Sequence, residues 1–358
     1  MAVQFENYYA NFRNIDSYNK PINCLISARE LGKTTSFWLQ KIYKPWKKRG
    51  QTALVLVYNA VELSDEYIQS IQDNIINKFT DDNVVFTYNK ASLDKGVVDV
   101  KIDGKMFVRF LACSVKLRKI KTALLKDIGI IWMDEYIINP RKGEKYIKGL
   151  SFTINEIYNT YKRERLDQGK PLKMYFTGNP YSLYNPIHMW LKIPTDQCKI
   201  GSIITGENWA FEWQKLSPQL IAKLRENNPT LEIDEDYRKY AFDGQPINDM
   251  NIKLGTLPAN YHLRFIFKHD GQYIAVYQNE YWRDHADKYY CTIVSGKDIS
   301  NKRTAYCFDF AELVNRTALL SAEDRNKFNH FKISMRKRLV VFSSVECYYL
   351  IEEIYFNL

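Results

Sequence analysis

The octapeptide Ser27-Ala28-Arg29-Glu30-Leu31-Gly32-Lys33-Thr34 follows the apolar run 22–26 and precedes an amphipathic segment that Pro45 is expected to close. Strand, glycine-bearing turn and helix in that order make an anion cradle. Backbone N–H groups wrap the anion, Lys33 neutralises phosphate oxygens, and the Thr34 hydroxyl reaches a magnesium ion. With Thr35 beside it, the segment predicts a nucleotide triphosphate site. It departs from the usual pattern at its first position, where Ser27 stands for glycine; serine is small, but it tolerates positive φ less well.

Residues 128–135, Ile-Gly-Ile-Ile-Trp-Met-Asp-Glu, supply a second half. A short apolar run is how a central parallel strand reads when helices cover both faces, and acids at its C-terminal end fall where open α/β sheets bind ligands. Asp134 is then expected in the Mg²⁺ shell and Glu135 beside the attacking water. A third apolar run, 172–177, ends in Thr177-Gly178-Asn179. In P-loop ATPases with an extra strand between the two acidic and phosphate-binding strands, such a tip carries a sensor of the γ-phosphate, for which Thr177 and Asn179 are candidates. An Asn-Pro turn at Asn179-Pro180 explains the same residue without catalysis.

Residues 153–166 have helical spacing and end in Lys162-Arg163-Glu164-Arg165. A basic helix end suits an arginine finger acting in cis or from a neighbouring subunit. Basic residues also favour helix C-termini through the dipole alone.

The 358 residues, 46% of them hydrophobic, are enough for a full core and two domains. A formal charge of +10 favours a polyanionic partner. Six cysteines form no CxxC pair and no metal-ligand spacing, as expected of reduced, buried thiols. The N-terminus has no basic region leading into an apolar core, and no run approaches the roughly 20 apolar residues of a membrane span. Secretion and membrane insertion are therefore not expected.

Strands are predicted at 22–26, 53–58, 84–88, 128–133 and 172–177, with a hairpin of 97–102 and 105–110 around Asp103-Gly104. The fold class is α/β, a mostly parallel P-loop sheet in a domain spanning 1–205. Residues 206–258, with Trp209, Phe211 and Trp213, read as a small linker subdomain. The third domain, 259–358, opens with antiparallel runs at 263–268, 273–278 and 289–294, resembling the start of an RNase H-like nuclease fold. Two-metal nucleases gather carboxylates, beginning on the first strand. Residues 263–268 have none, and Asp284, Asp287 and Asp309 read as turn residues. A binding domain without nuclease chemistry is expected.

Taken in order, these segments resemble the DNA-packaging ATPases of small podophages over nearly the whole chain. The resemblance implies a homomeric ring, a pentamer, at the portal protein of an empty capsid, using ATP and Mg²⁺ to drive double-stranded DNA inward. It places the protein in the host cytoplasm and transiently at the portal vertex, not in the mature virion. By motif match it assigns Lys33 and Thr34 to phosphates and Mg²⁺, Asp134 to Mg²⁺, Glu135 to water and Asn179 to sensing. Arg163, then Arg165, matches the trans-acting arginine, and Lys119 or Lys121 a second trans-acting residue. Arginines that would clamp the nucleotide are missing from residues 58–61.

A motor that moves any sequence has to grip phosphate rather than base edges. Arg141, Lys142, Lys145 and Lys148 form a candidate pore loop; a second basic run at 116–121 suits DNA or a neighbouring subunit, and an ordinary solvated surface explains either run. Two alternatives remain. A small-molecule P-loop kinase has to exclude water, against which Glu135 argues, and a nuclease-active large terminase needs the acidic cluster that 263–268 lack.

Overall fold

The computed structural model describes residues 10–29, 31–115, 128–139, 146–147, 149–167, 171–195, 197–227, 238, 246, 252–283, 285–296, 304–321 and 323–357. The chain divides into two compact units, Met1–Ile247 and Asn248–Leu358.

The first unit is built on a nine-stranded sheet ordered β3-β4-β5-β2-β6-β7-β1-β9-β8. Its strands are β1 (Ile22–Ser27), β2 (Thr52–Val57), β3 (Phe86–Thr87), β4 (Val97–Ile102), β5 (Lys105–Ala112), β6 (Ile128–Asp134), β7 (Lys173–Gly178), β8 (Ile203–Thr205) and β9 (Trp209–Gln214). The six central strands, β5 to β9 in sheet order, run parallel. β4 and β8 flank them antiparallel, and β3 pairs antiparallel with β4 at the outer edge. Asp103 and Gly104 both have positive φ, 49° and 72°, the two-residue turn that joins β4 to β5. β7 lies between β1 and β6, the extra strand expected between the phosphate-binding and acidic strands.

Every residue of β1 and β2 is buried because helices cover both faces. Alternation sends Val55, Val57, Trp132 and Tyr175 to one face, where Phe37, Trp38 and Ile42 pack on them. Leu54, Leu56, Ile131, Met133, Met174 and Phe176 go to the other, against Ile154, Ile157 and Tyr161 of the helix Leu150–Asp167.

Three sequence expectations need correction here. Pro45 does not close the first helix: Lys33–Phe37 passes into a π-helical stretch, Trp38–Tyr43, and then into Lys44–Arg49, which ends at Gly50. The proline falls in the first turn of that last segment, where its missing N–H is least costly, and the wider π turn before it gives the ring room. The sheet also continues beyond residue 205. Trp209–Gln214, read from sequence as the start of a linker, is β9 and pairs in parallel with β1 over its full length. The run 84–88 contributes only the two-residue β3.

The second unit carries a six-stranded sheet, β14-β13-β10-β11-β12-β15. Its strands are β10 (Tyr261–His269), β11 (Gln272–Asn279), β12 (Tyr289–Val294), β13 (Ala305–Cys307), β14 (Thr317–Leu319) and β15 (Val340–Phe342). β10, β11 and β12 form an antiparallel meander; β13 then returns parallel to β10, and β14 parallel to β13. That is the RNase H-like order. The helices Asn329–Arg336 and Val345–Asn357 close its core through Phe331, Leu350, Ile351 and Ile354, with Phe267, Ile274 and Val276 from the sheet.

β10 contains no carboxylate along its length. Its Lys268 is buried, donates to the Glu312 carbonyl at 3.0 Å and pairs with the Glu312 carboxylate at 3.3 Å. Asp309 caps a short 3₁₀ turn by accepting from Ala311 N–H, and Asp287 pairs with Lys253; Asp284 lies outside the described residues. Among the described residues no group of three or more His, Cys, Asp or Glu is placed to hold a metal ion. All six cysteines are free and buried. Among the described residues no helix is long and apolar enough to cross a membrane.

Phe267 is fully buried at the centre of the second core. Phe267→Ala is expected to cost this unit roughly 3–5 kcal/mol, read as an earlier urea transition of the C-terminal unit by hydrogen exchange while β1 and β7 keep their protection.

Candidate functional site: a phosphate loop facing an acidic strand end

The site is assembled at the C-terminal ends of three adjacent strands. Register places Leu25 of β1 beside Thr177 of β7, and Thr177 beside Asp134 of β6. Gly32 has φ 65° and is the cap of the helix that begins at Lys33, a left-handed conformation that an L side chain would strain. Ser27 needs no such freedom, because it is the last residue of β1; its substitution for glycine is therefore accommodated.

Lys33 is buried, and its ammonium donates to the Ser27 carbonyl (3.2 Å), Ser27 Oγ (3.0 Å), the Ala28 carbonyl (3.1 Å) and Asn179 Oδ1 (2.9 Å). Burial lowers its pKa to about 8, opposed by the nearby carboxylates of Asp134 and Glu135. Asn179, expected as a sensor, thus meets the buried loop lysine directly. The Asp134 carboxylate is held from three sides. Oδ1 accepts from Thr177 Oγ1 at 2.6 Å and from Glu135 N–H at 3.0 Å, and Oδ2 accepts from Thr34 Oγ1. The indole N–H of Trp132 donates to Thr177 Oγ1 at 2.8 Å.

Glu135 is exposed and has φ 49°. For a residue other than glycine this is strained backbone, and it turns the chain sharply at the strand end. The next residue anchors the turn. Tyr136 is fully buried; its N–H donates to the Thr177 carbonyl at 3.3 Å and its own carbonyl accepts from the Tyr58 hydroxyl at 2.5 Å. Its ring comes so close to Gly178 that a Cβ there would lie 3.1 Å from ring carbons. The Tyr136 hydroxyl meets His188 Nε2 at 2.6 Å, and His188 Nδ1 lies 2.7 Å from the Leu183 carbonyl. A carbonyl only accepts, so Nδ1 carries the proton and Nε2 accepts from Tyr136.

Of the helix-end arginines, Arg163 is exposed. Arg165 is buried and donates to the Pro171 carbonyl of its own chain at 3.0 Å, an arrangement that holds it in place as a structural strut. Arg29 is exposed, Leu31 buried and Thr35 half-buried. Glu30, Lys119, Lys121, Arg141, Lys142, Lys145 and Lys148 lie outside the described residues.

The donor set fits a magnesium nucleotide. Lys33 supplies a buried ammonium beside the loop backbone and Asn179, and Thr34 and Asp134 present a hydroxyl and a carboxylate side by side, the hard oxygen ligands Mg²⁺ takes. The strand order and this set together define a P-loop nucleotide-binding fold of the kind with an inserted sensor strand. No protein-family model matches the sequence, and no curated protein sequence matches it. Among solved structures, the chain shares its fold with the bacteriophage Phi-29 viral genome packaging motor assembly, at TM-score 0.67 and 16% identity, covering 98% of this chain and 99% of that one. It also matches the Phi-28 gp11 DNA packaging motor at TM-score 0.62 and 15% identity, covering 95% of each chain.

The buried His188 supplies a pH test of the anchor. Burial lowers its pKa to about 4, below the unfolded value of 6.5, so it resists protonation in the folded protein. Between these values the unfolded chain binds the extra proton, and stability falls as pH drops through that window, by up to about 3 kcal/mol. In His188→Gln the melting temperature is expected to fall less steeply between pH 6.5 and 4.5 than in the wild type, measured by differential scanning fluorimetry.

Proposed function

We propose that this chain is an ATP-hydrolysing motor that moves double-stranded viral DNA into a preformed capsid. The observation that carries the reading is the convergence of Lys33, Thr34, Asp134, Glu135 and Asn179 on one strand-end edge. It is supported by the full-length fold shared with packaging motors. In this reading Lys33 and the loop N–H groups bind the phosphates, and Thr34 and Asp134 hold Mg²⁺, which neutralises developing charge when bound. Glu135 orients and deprotonates the attacking water, and Asn179 links the γ-phosphate position to β7.

The working form is a homomeric ring, a pentamer, seated on the portal protein during packaging. Arg163 is the trans-acting finger. It is exposed, and Phe152, 64% exposed, lies eleven residues earlier on the same helix, close to three full turns and so on the same face. An exposed aromatic and an exposed arginine in one stripe suit a face that meets a neighbouring subunit. DNA is gripped through its phosphates by the basic residues Arg141, Lys142, Lys145 and Lys148, and the C-terminal unit serves binding rather than cleavage, since β10 carries no acid.

ATP turnover should rise on adding duplex DNA, and the stimulation should weaken as salt is raised. Lys33→Ala is expected to abolish nucleotide binding. Glu135→Gln is expected to keep it while lowering kcat about 10²–10⁴-fold; equal turnover in Glu135→Gln and wild type would remove Glu135 from the mechanism. Mixed rings of Arg163→Ala and Glu135→Gln subunits should regain turnover that neither variant shows alone, and mixing without recovery would make the arginine act in cis.

A further inference from the structure

Trp132 has an unusual position for so large an apolar residue: two residues before the metal-binding acid, on the same face of β6. Its ring stacks on Phe37, with centroids 4.3 Å apart and planes 17° apart, and meets Trp38 edge-on at 5.5 Å. Phe37 and Trp38 follow Lys33 and Thr34 on the same continuous helical segment. Packing therefore ties the tryptophan to the element that binds phosphate. Its polar atom reaches the other way, donating to Thr177 Oγ1 at 2.8 Å in a buried environment.

The chemistry of these groups fixes the direction of the chain. An indole N–H only donates, so the Thr177 oxygen accepts from Trp132 and its single proton goes to Asp134 Oδ1, 2.6 Å away. The Glu135 N–H adds a second donor to Oδ1. Oδ1 is thereby committed to the protein, and Oδ2 is turned toward Thr34. A carboxylate pinned by one oxygen offers the other in a single orientation. We propose that Trp132 is a positioning residue for the metal site: through the Thr177 hydroxyl its N–H sets the Asp134 carboxylate in the orientation that presents Oδ2 beside Thr34, and through Phe37 and Trp38 it keeps that orientation in step with the phosphate loop. This rests on the nucleotide-site reading above.

The test uses the full chain with Trp132→Phe, which keeps an aromatic ring for stacking but removes the donor, together with Thr177→Val, Thr177→Ser and the Trp132→Phe/Thr177→Val double variant. Mn²⁺ affinity in the presence of ADP is read by electron paramagnetic resonance, and ADP affinity in EDTA by calorimetry. Loss of one charge-linked hydrogen bond predicts metal binding weaker by about tenfold in Trp132→Phe and in Thr177→Val. ADP affinity in EDTA should stay within about twofold, since Lys33 is untouched. The double variant should bind Mn²⁺ no more weakly than Thr177→Val alone, because both changes cut one chain, and Thr177→Ser should bind like wild type. Unchanged Mn²⁺ affinity in Trp132→Phe, or additive losses in the double variant, overturns the proposal. Should Trp132→Phe fail to fold, wild-type metal affinity in Thr177→Val does the same. Failure of the underlying site reading looks different: wild type and Lys33→Ala would then bind ADP in EDTA equally poorly.

Discussion

An ammonium group buried in a protein interior has to be surrounded by acceptors, and at Lys33 those acceptors determine how the strand ends are arranged. Two are backbone carbonyls of its own loop, which bends back on itself only because Gly32 takes a left-handed turn. A third is Asn179, 146 residues away in sequence, which draws the tip of β7 to the loop. With β7 in place, Thr177 stands beside Asp134, and the acid is oriented by the Thr177 and Thr34 hydroxyls and by the backbone N–H of Glu135. The Lys33 ammonium, the Thr34 hydroxyl and Asp134 Oδ2 are thus brought to one edge by bonds within the protein itself.

Much of this was legible before any coordinates. The loop after β1, the acidic end of β6 and the tip of β7 were each marked by an apolar run meeting a polar tip, and buried parallel strands are the elements whose sequences are least ambiguous. The β4–β5 hairpin was readable from Asp103-Gly104, whose positive φ values the structure contains. β9 escaped because Glu212 interrupts its aromatic residues. A buried carboxylate, its pKa raised by that burial, makes a central strand look like a half-solvated one. β13, β14 and β15 have three residues each, below what periodicity can detect. Pro45 misled for a different reason, since the π turn that accommodates it is a tertiary adjustment with no signature in composition.

The site was legible as a list of residues and not as a geometry. Sequence named Asn179 and Thr177 as alternative sensors, whereas each has its own partner, one on the lysine and one on the aspartate. The bonds from Trp132 to Thr177 and from Tyr136 to His188 and Tyr58 span 45, 52 and 78 residues, and nothing local announces them. Conversely, Arg163 and Arg165 were indistinguishable from helix-end chemistry. Two residues on a helix differ by 200° in direction, so one faces its own chain and the other faces out.

Glu135 occupies backbone geometry that glycine or asparagine would adopt at less cost, roughly 1 kcal/mol. A chain chosen for durability alone would place one of those residues there. Retaining glutamate means the fold gives up resilience at this corner, and it can do so because Tyr136 is wedged between β7 and Tyr58 as ballast. Replacements that toughen the protein are therefore to be sought away from this corner, since relaxing it would give up the exposed carboxylate that the proposed mechanism uses.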